Sequence, residues 1–415
     1  MARRRLSGRG ILVATRTFPP DVNAAAFRLG ALARAGARRS AVTVVTSTPA
    51  MGASPTADPQ GVRVRRWPVL RDRGGNIRGY LQYLSFDLPL FARIVGRRFD
   101  VVVAEAPPTT GLVTAVVAAI HRRPFAYYAA DVWTDGVAAV GAPAFVVRAM
   151  QMLERAVLRR AACILSVSAG VTDRLVALGA DPSKVTVVGH GVDTDVFRPD
   201  GPRVENLQYF VYTGTMSEVH RPQVLIEAFA SIAAQYPALR LRFFGQGVFE
   251  SELRELSERL VPGRVEFGGV VSPDEAASWL RGAIGALVTL APATGYEFAH
   301  PTKAYAAAAC GTPVLYAGPD EFGAIIRENE LGEAVPHNPE WVAASMRVLI
   351  SDFESGAAEE RRPHRARWAL HNVSLEAVGE RAADAVHALI ATNSSGGRIE
   401  RRPGSFVRPL QEPTS

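Results

Sequence analysis

Ile11-Leu12-Val13-Ala14-Thr15 is a short apolar run, and its alternation with helical segments decides the fold. An alanine-rich helical stretch comes next, at residues 24–35. A second β-branched run succeeds it, Val42-Thr43-Val44-Val45-Thr46. The beat then repeats. Residues 101–104 lead to a helical stretch at 109–120, and 125–128 precede a long helix around 143–162. Residues 163–166 lead to 171–178, and 185–188 close the series. Strands alternating with helices predict a parallel sheet covered on both faces. Residues 50–75 read as a loop with one short strand at 62–65.

The rhythm restarts after residue 208. Strand-like runs at 209–213, 239–244, 265–267, 286–289 and 313–316 alternate with helical stretches at 222–235, 250–260 and 273–281. A helix opened by Pro301 and another at 322–328 complete the alternation. Residues 189–202, rich in Gly, Pro and Asp, read as a linker. The expected fold class is therefore α/β, with two Rossmann-like domains facing across a cleft. Ligands are expected at the carboxyl ends of the strands. The expected boundaries are 1–195 and 196–373. A helix at 374–392 packs back on the first domain, and a tail at 393–415, rich in Ser, Gly and Pro, is disordered.

At 415 residues, 48% of them hydrophobic and with mean hydropathy +0.06, the chain is long enough for two cores. Cys163 and Cys310 sit in apolar contexts and read as buried small residues, which suits a reducing cytoplasm. The basic start Arg3-Arg4-Arg5 is followed by Ser7-Gly8 rather than an apolar core, so no signal peptide is expected. Charge is lopsided: residues 1–200 hold 27 basic and 14 acidic side chains, and the remainder hold 20 and 26. A basic N-terminal half suggests an anionic partner on that half, with peripheral membrane contact one form of it. The basic residues are scattered with few interleaved aromatics, which argues against nucleic acid. The helix around 145–160, apolar and arginine-rich, reads either as membrane-resting or as core-facing with a solvated side.

Lys184 and Lys303 are the only lysines among 47 basic side chains. Lys303 stands in the first turn of the helix opened by Pro301-Thr302, where an anion is favoured, and lysine is a compact charge suited to phosphate. Gly311 and Pro313 close this helix.

Several segments together resemble retaining nucleotide-sugar glycosyltransferases of family four, enzymes of the GT-B fold, over roughly residues 10–390. The stretch Phe18-Pro19-Pro20-Asp21, running on to Arg28, resembles the first loop of the subgroup that builds O-antigen and capsular sugars. Asp131-Val132-Trp133 and the hinge from Val187 to Phe197 fit the same pattern. So do Phe244-Gly245-Gln246-Gly247, Phe267-Gly268-Gly269-Val270, Pro301-Thr302-Lys303 and Cys310-Gly311-Thr312-Pro313.

The resemblance implies a donor site in the second domain. Lys303, His220 and Arg221 would meet the leaving diphosphate. Gly214, Thr215, Gly245, Gly247, Val270 and Thr302 would line the donor loops. The family carries an arginine where Thr215 stands and a lysine where His220 stands, so Arg221, helped by His220, is assigned the cationic role. Two glutamates are expected at 298 and 306, where this chain has Phe298 and Ala306. Glu297, one residue early, is the candidate for the donor sugar. In the first domain, Asp131 would accept a hydrogen bond from the acceptor or sugar, with Ala130 in place of the family's histidine. Arg16, Asn23 and Arg28 flank the acceptor-side loop.

No His-x-x-x-His or Cys-x-x-Cys spacing occurs, so neither a metal nor a cofactor is expected. The expected activity is metal-independent, retaining transfer of a sugar from a nucleoside diphosphate sugar. The acceptor would be a saccharide, a lipid-linked molecule or a small natural product. The expected location is the cytoplasm or the inner membrane face. The missing glutamate and histidine keep open a non-catalytic nucleotide- or glycan-binding relative. A sugar-nucleotide epimerase shares the fold and is the third reading.

Overall fold

The computed structural model describes residues 10–395 apart from 22, 50–57, 73–76, 78 and 140. The tail beyond Ser395 and parts of the 50–75 loop therefore lie outside the described residues. The chain divides into two compact units. One runs to Gly191 and resumes at Leu375, and the other comprises Val192–Ser374.

In the first unit the chain order is β1 (Ile11–Ala14), α1 (Ala24–Ala37), β2 (Val42–Ser47), β3 (Val62–Trp67), α2 (Tyr80–Val95) and β4 (Val101–Glu105). It continues through α3 (Pro108–Ile120), β5 (Phe125–Ala129), α4 (Trp133–Ala139), α5 (Ala144–Arg160), β6 (Cys163–Ser166), α6 (Ala169–Ala177) and β7 (Val185–Val187). The strands pair in the order β3-β2-β1-β4-β5-β6-β7, all parallel. β1, β4, β5 and β6 are buried along their whole length, as unbroken apolar runs covered by helices on both faces must be. The order reverses between β1 and β4, which opens a crevice at their carboxyl ends.

The second unit runs β8 (Tyr209–Thr213), α7 (Gln223–Ala233), β9 (Arg240–Phe244), α8 (Glu250–Leu260), β10 (Val265–Phe267), α9 (Pro273–Gly282) and β11 (Gly285–Thr289). Then come α10 (Thr302–Ala309), β12 (Val314–Ala317), α11 (Asp320–Glu328), β13 (Gly332–Val335), α12 (Pro339–Ser355), α13 (Ala357–Glu360) and α14 (Arg362–Asn372). Its strand order is β10-β9-β8-β11-β12-β13, again all parallel, with the reversal between β8 and β11.

The chain returns to the first unit as α15 (Leu375–Ser395), which packs along α1. Gly379 permits the approach: a Cβ there would lie 2.7 Å from the Ala31 carbonyl. Arg38 and Arg39 pair with Glu376, Glu380 and Asp384 across this contact. These pairs are exposed and add little stability each; burial of Val378, Ala382 and Val386 holds the helix.

Several elements differ from the sequence reading. The edge strand β3 runs two residues past 65. The helix α15 continues to Ser395, beyond residue 393, where the sequence suggests the start of a tail. The sequence reading has no counterpart for α2, α4, β13, α12, α13 or α14. α2 hides itself: it has no acidic residue in its first turn, no side-chain cap and Pro89 in its interior.

Candidate functional site

Two constellations stand at the carboxyl edges of the two sheets, one in each unit.

In the second unit the loops after β8, β9 and β10 are laced side by side. The Gly214 amide donates to the Phe244 carbonyl at 2.8 Å, and the Gly245 amide to the Gly269 carbonyl at 2.7 Å. Gly214 and Gly245 have φ of 130° and 127°, a region that L side chains rarely enter. A Cβ at Gly245 would stand 2.1 Å from the Gly214 oxygen, and one at Gly247 2.0 Å from the Met216 oxygen. The two glycines therefore let adjacent loops touch, whatever else they do.

Lys303 lies against this edge, from the first turn of α10. Its Nζ donates to Tyr212 Oη at 2.8 Å and lies 4.1 Å from the centre of the same ring. Tyr212 Oη in turn donates to the Thr215 carbonyl at 2.7 Å. A Cβ on Gly214 would come within 3.0 Å of Lys303 Nζ, so glycine leaves room for the ammonium. Burial pushes the Lys303 ammonium down to about 7. Among the described residues no carboxylate forms an ion pair with it.

The helix carrying Lys303 is oriented electrically. Its carboxyl end is closed by arginines: Arg362 Nη1 donates to the Cys310 carbonyl at 2.8 Å, and Arg365 Nε to the Gly311 carbonyl at 2.8 Å. Its amino end follows Pro301, which makes no side-chain cap, and Thr302 is exposed there. The positive end of the helix and a lysine thus share one edge.

His220 reaches the same area. Its Nδ1 lies 2.8 Å from Ser217 Oγ, and burial together with the Lys303 charge pushes it down to about 4. Near pH 7 it is a neutral imidazole, so it offers a hydrogen bond rather than the positive charge assigned to it from sequence. Arg221 is different again. Its side chain is exposed, its φ is 41°, and its carbonyl accepts from His337 at 3.1 Å. None of its described contacts brings the guanidinium to Lys303.

Glu297 serves its own loop. Its Oε1 accepts the amides of Thr294 at 2.8 Å and Gly295 at 3.1 Å, and backbone hydrogen bonds hold the carboxyl below its usual range. Ala306 is buried in an apolar cluster with Phe244 and Tyr305. Val270 is exposed beyond β10, after Gly269 with φ of 68°.

In the first unit a pocket of about 140 Å³ opens at the reversal point between β1 and β4. Arg16, Arg28, Glu105, Asp131 and Trp133 line it. Arg28 Nη2 pairs with Glu105 Oε1 at 3.0 Å, and both side chains are largely buried. Despite the burial cost, the neighbouring Glu105 charge, with Tyr128 and Asp131, holds the Arg28 guanidinium above its ordinary value. Arg16 donates to the Ala106 carbonyl at 3.2 Å, and its guanidinium lies 4.1 Å from the Tyr83 ring centre. Asp131 is exposed at the pocket wall, close enough for its charge to act on Arg28 and Glu105. Asn23 plays a local part: its Oδ1 caps α1 through the Ala26 amide at 2.9 Å and accepts from Thr17 at 3.1 Å.

Three groups here escaped the sequence reading. Glu105 ends the apolar run of β4, and a lone carboxylate closing a buried strand was the available signal. Tyr83 lies on α2, which was itself missed. Glu154 is fully buried in α5 and accepts from the Trp133 amide (3.0 Å), the Thr134 amide (2.9 Å) and Thr134 Oγ1 (2.6 Å). It thereby fixes the start of α4 beside the pocket.

Comparison with known proteins agrees with this architecture. Residues 23–191 match the family described as "Glycosyl transferase 4-like domain", and residues 208–352 match "Glycosyl transferases group 1". With both units matched, the chain belongs to the group 1 glycosyltransferases of the GT-B fold. A D-inositol 3-phosphate glycosyltransferase of Nocardioides sp. is 31% identical over 226 residues, which is 46% of this chain and 48% of that protein. The chain thus spans about half the length of the curated relatives it matches. Among solved structures, sucrose-phosphate synthase from Thermosynechococcus elongatus has a TM-score of 0.66 at 18% identity, covering 92% of this chain and 99% of its own. Anabaena Alr3699/HepE, in complex with UDP and glucose, has a TM-score of 0.62 at 17% identity, covering 91% and 99%. At these identities the structural likeness is one of fold.

Proposed function

We propose that the chain is a retaining glycosyltransferase that moves a sugar from a nucleoside diphosphate sugar to a hydroxyl-bearing acceptor, with no resident metal. The observation that carries this reading is Lys303: a desolvated ammonium without a carboxylate partner, at the amino end of a helix whose other end is closed by arginines. Such a group is poised to receive an anion, and the diphosphate of a sugar nucleotide is the anion that the family's chemistry would supply. The UDP in the HepE structure and the inositol phosphate in the relatives' names agree with phosphate-bearing ligands.

In this reading, Lys303 and the first amides of α10 stabilise charge on the leaving diphosphate. His220 donates or accepts one hydrogen bond beside them, and Gly214 and Gly245 let the phosphates approach the backbone. Val270 and Gly269 offer a ledge for the base. The acceptor, a saccharide, polyol or lipid-linked molecule, occupies the pocket of the first unit, where Asp131 accepts a hydrogen bond from its hydroxyl and Arg16 and Arg28 orient it. The diphosphate departs on the side that the acceptor enters, so the anomeric configuration is kept.

Calorimetric titration with UDP, GDP and dTDP, followed by single-turnover assays with the matching sugar nucleotides, tests the reading. Binding of one nucleotide, weakened in Lys303→Ala, and transfer of its sugar to an added hydroxyl-bearing acceptor with the anomeric configuration unchanged are expected. Absence of any nucleotide binding would sink it. A second reading, a nucleotide-binding relative without turnover, draws on Ala306 and Ala130, buried apolar residues where a glutamate and a histidine are expected. Tight nucleotide binding without transfer to any acceptor would favour it.

A further inference from the structure

We infer that the layer formed by α2, α3 and α5 is a docking surface for an anionic lipid bilayer. The inference starts on α2. Leu81, Leu84, Leu88 and Phe91 are all exposed, Leu81 and Leu88 by 70% and 72%. At 3.6 residues per turn these four fall within a stripe about 100° wide. The opposite face carries Phe86, Leu90 and Ile94, fully buried against the unit. A surface helix ordinarily turns polar side chains outward. This one is apolar on both faces, and its only carboxylate, Asp87, is buried, accepting from the hydroxyls of Thr109 and Thr110.

The neighbouring helices continue the surface. α3 packs against both α2 and α5. Between Pro108 and Ile120 it carries no charge, and it exposes Val116 and Ile120. On α5, Phe145 and Met152 are exposed by 72% and 66%, with Arg148 exposed between them and Arg159 about two turns further along the same face. Its only carboxylate, Glu154, is buried. The outward faces of the three helices therefore present large apolar side chains and arginines, and no carboxylate.

The charge around the layer selects the partner. At the end of α2, Arg97 lies near Arg63 and Arg65 of the edge strand β3; burial and these like charges push it downward. Among the described residues, none of these three arginines, nor Arg93 or Arg98, forms an ion pair. A cluster of uncompensated arginines beside an apolar stripe is complementary to a surface with anionic headgroups over an apolar interior. A nucleic acid offers the phosphates but nothing for Leu81, Leu88 and Met152 to enter. Arginine also suits this place, since its stem lies along apolar surface while the guanidinium reaches phosphate. One of these helices adjoins the pocket, for Tyr83 of α2 lies under Arg16, which lines it. A chain docked through this layer would hold its first-unit pocket beside the membrane surface.

Vesicle sedimentation with the full chain tests this independently of catalysis. Vesicles of phosphatidylcholine alone are compared with vesicles containing about one third phosphatidylglycerol, at low and high salt. Binding to the mixed vesicles is expected, weakened by salt and weak on neutral vesicles. Leu84→Gln/Leu88→Gln should lower the bound fraction roughly tenfold, and Arg63→Gln/Arg65→Gln should erase the preference for anionic lipid. Because all four positions are exposed, circular dichroism and nucleotide affinity should match the parent chain. Failure to bind mixed vesicles would overturn the inference, as would equal binding by parent and both variants. A parent dimer that Leu84→Gln/Leu88→Gln converts to monomer would also overturn it, assigning the surface to a second copy of the chain.

Discussion

Lys303 Nζ donates to Tyr212 Oη at 2.8 Å while its charge sits 4.1 Å from the centre of the same ring. A phenol and a π-face are weak substitutes for water around an ammonium. The consequence is a lysine pushed down to about 7. Near neutral pH it is only partly protonated, and an arriving diphosphate would draw the proton back. Nucleotide binding near pH 8 should therefore take up a fraction of a proton, and affinity should fall as pH rises above about 7. Calorimetry in buffers of different ionisation enthalpy measures the uptake. Lys303→Met should abolish it and weaken binding roughly 10- to 100-fold, the range for a hydrogen bond to a charged group.

The same shift has a stability signature. The ordinary value for lysine is 10.5, so between about 7 and 10.5 the unfolded chain binds this proton more tightly than the folded one. This group alone makes the ligand-free chain less stable as pH falls across that window than it is above it, because the unfolded state holds more protons there and stability rises with pH. Denaturant melts of the parent and Lys303→Met at pH 7 and pH 9 should show the parent's pH gain reduced in the variant; identical gains would contradict the assignment.

The Arg28–Glu105 pair should be costly to break from one side. Both groups are largely buried at 3.0 Å, and removing the carboxylate leaves an uncompensated guanidinium. Glu105→Ala should destabilise the first unit by about 3–5 kcal/mol. Urea unfolding followed by tryptophan fluorescence gives the value. Glu105→Gln, which keeps one hydrogen bond, should cost less.

Glu154 offers a test of positioning without contact with any substrate. It accepts two amides and one hydroxyl at the start of α4 from a fully buried place. Glu154→Ala should cost about 1–3 kcal/mol through the unsatisfied donors it leaves. It should also change the fluorescence of Trp133. If the proposed acceptor role of the pocket holds, KM for the acceptor should rise with nucleotide affinity unchanged.

Gly247→Ala should separate loop geometry from core stability. The new Cβ would stand 2.0 Å from the Met216 carbonyl, so the loop after β8 must yield. That loop holds Thr215, whose carbonyl accepts from Tyr212, the partner of Lys303. A loss of nucleotide affinity of about tenfold or more, with a far smaller change in melting, is the expected result. Unchanged affinity in a folded variant would show that the two loops are uncoupled from the phosphate site.

Much of the fold was legible because parallel strands buried on both faces must be continuous apolar runs. Val101-Val102-Val103-Ala104 and Tyr209-Phe210-Val211-Tyr212 could hardly be anything else between helical stretches. α2 was not legible, because its apolar residues occupy two faces and its interior holds Pro89. Lys303 could be singled out because lysine is scarce in this chain and stands in the first turn of a helix. Its partner could not, since nothing local marks Tyr212 as different from Tyr209. Arg16 and Arg28 stood out as flanking a strand-to-helix turn, whereas Glu105 and Trp133 join them only across β1, β4 and β5.

The alternation of strand and helix, the restart near residue 208 and the lysine at the opening of α10 are all written in the order of the residues. These come from periodicity, capping and composition, all properties of neighbours along the chain. Which charges are neutralised became visible only in the folded chain. It paired Arg28 with Glu105, left Lys303 facing a phenol, made His220 neutral beside it, and turned Arg221 outward. Such outcomes depend on dielectric and distance between groups tens of residues apart, and those are set only when the sheets close.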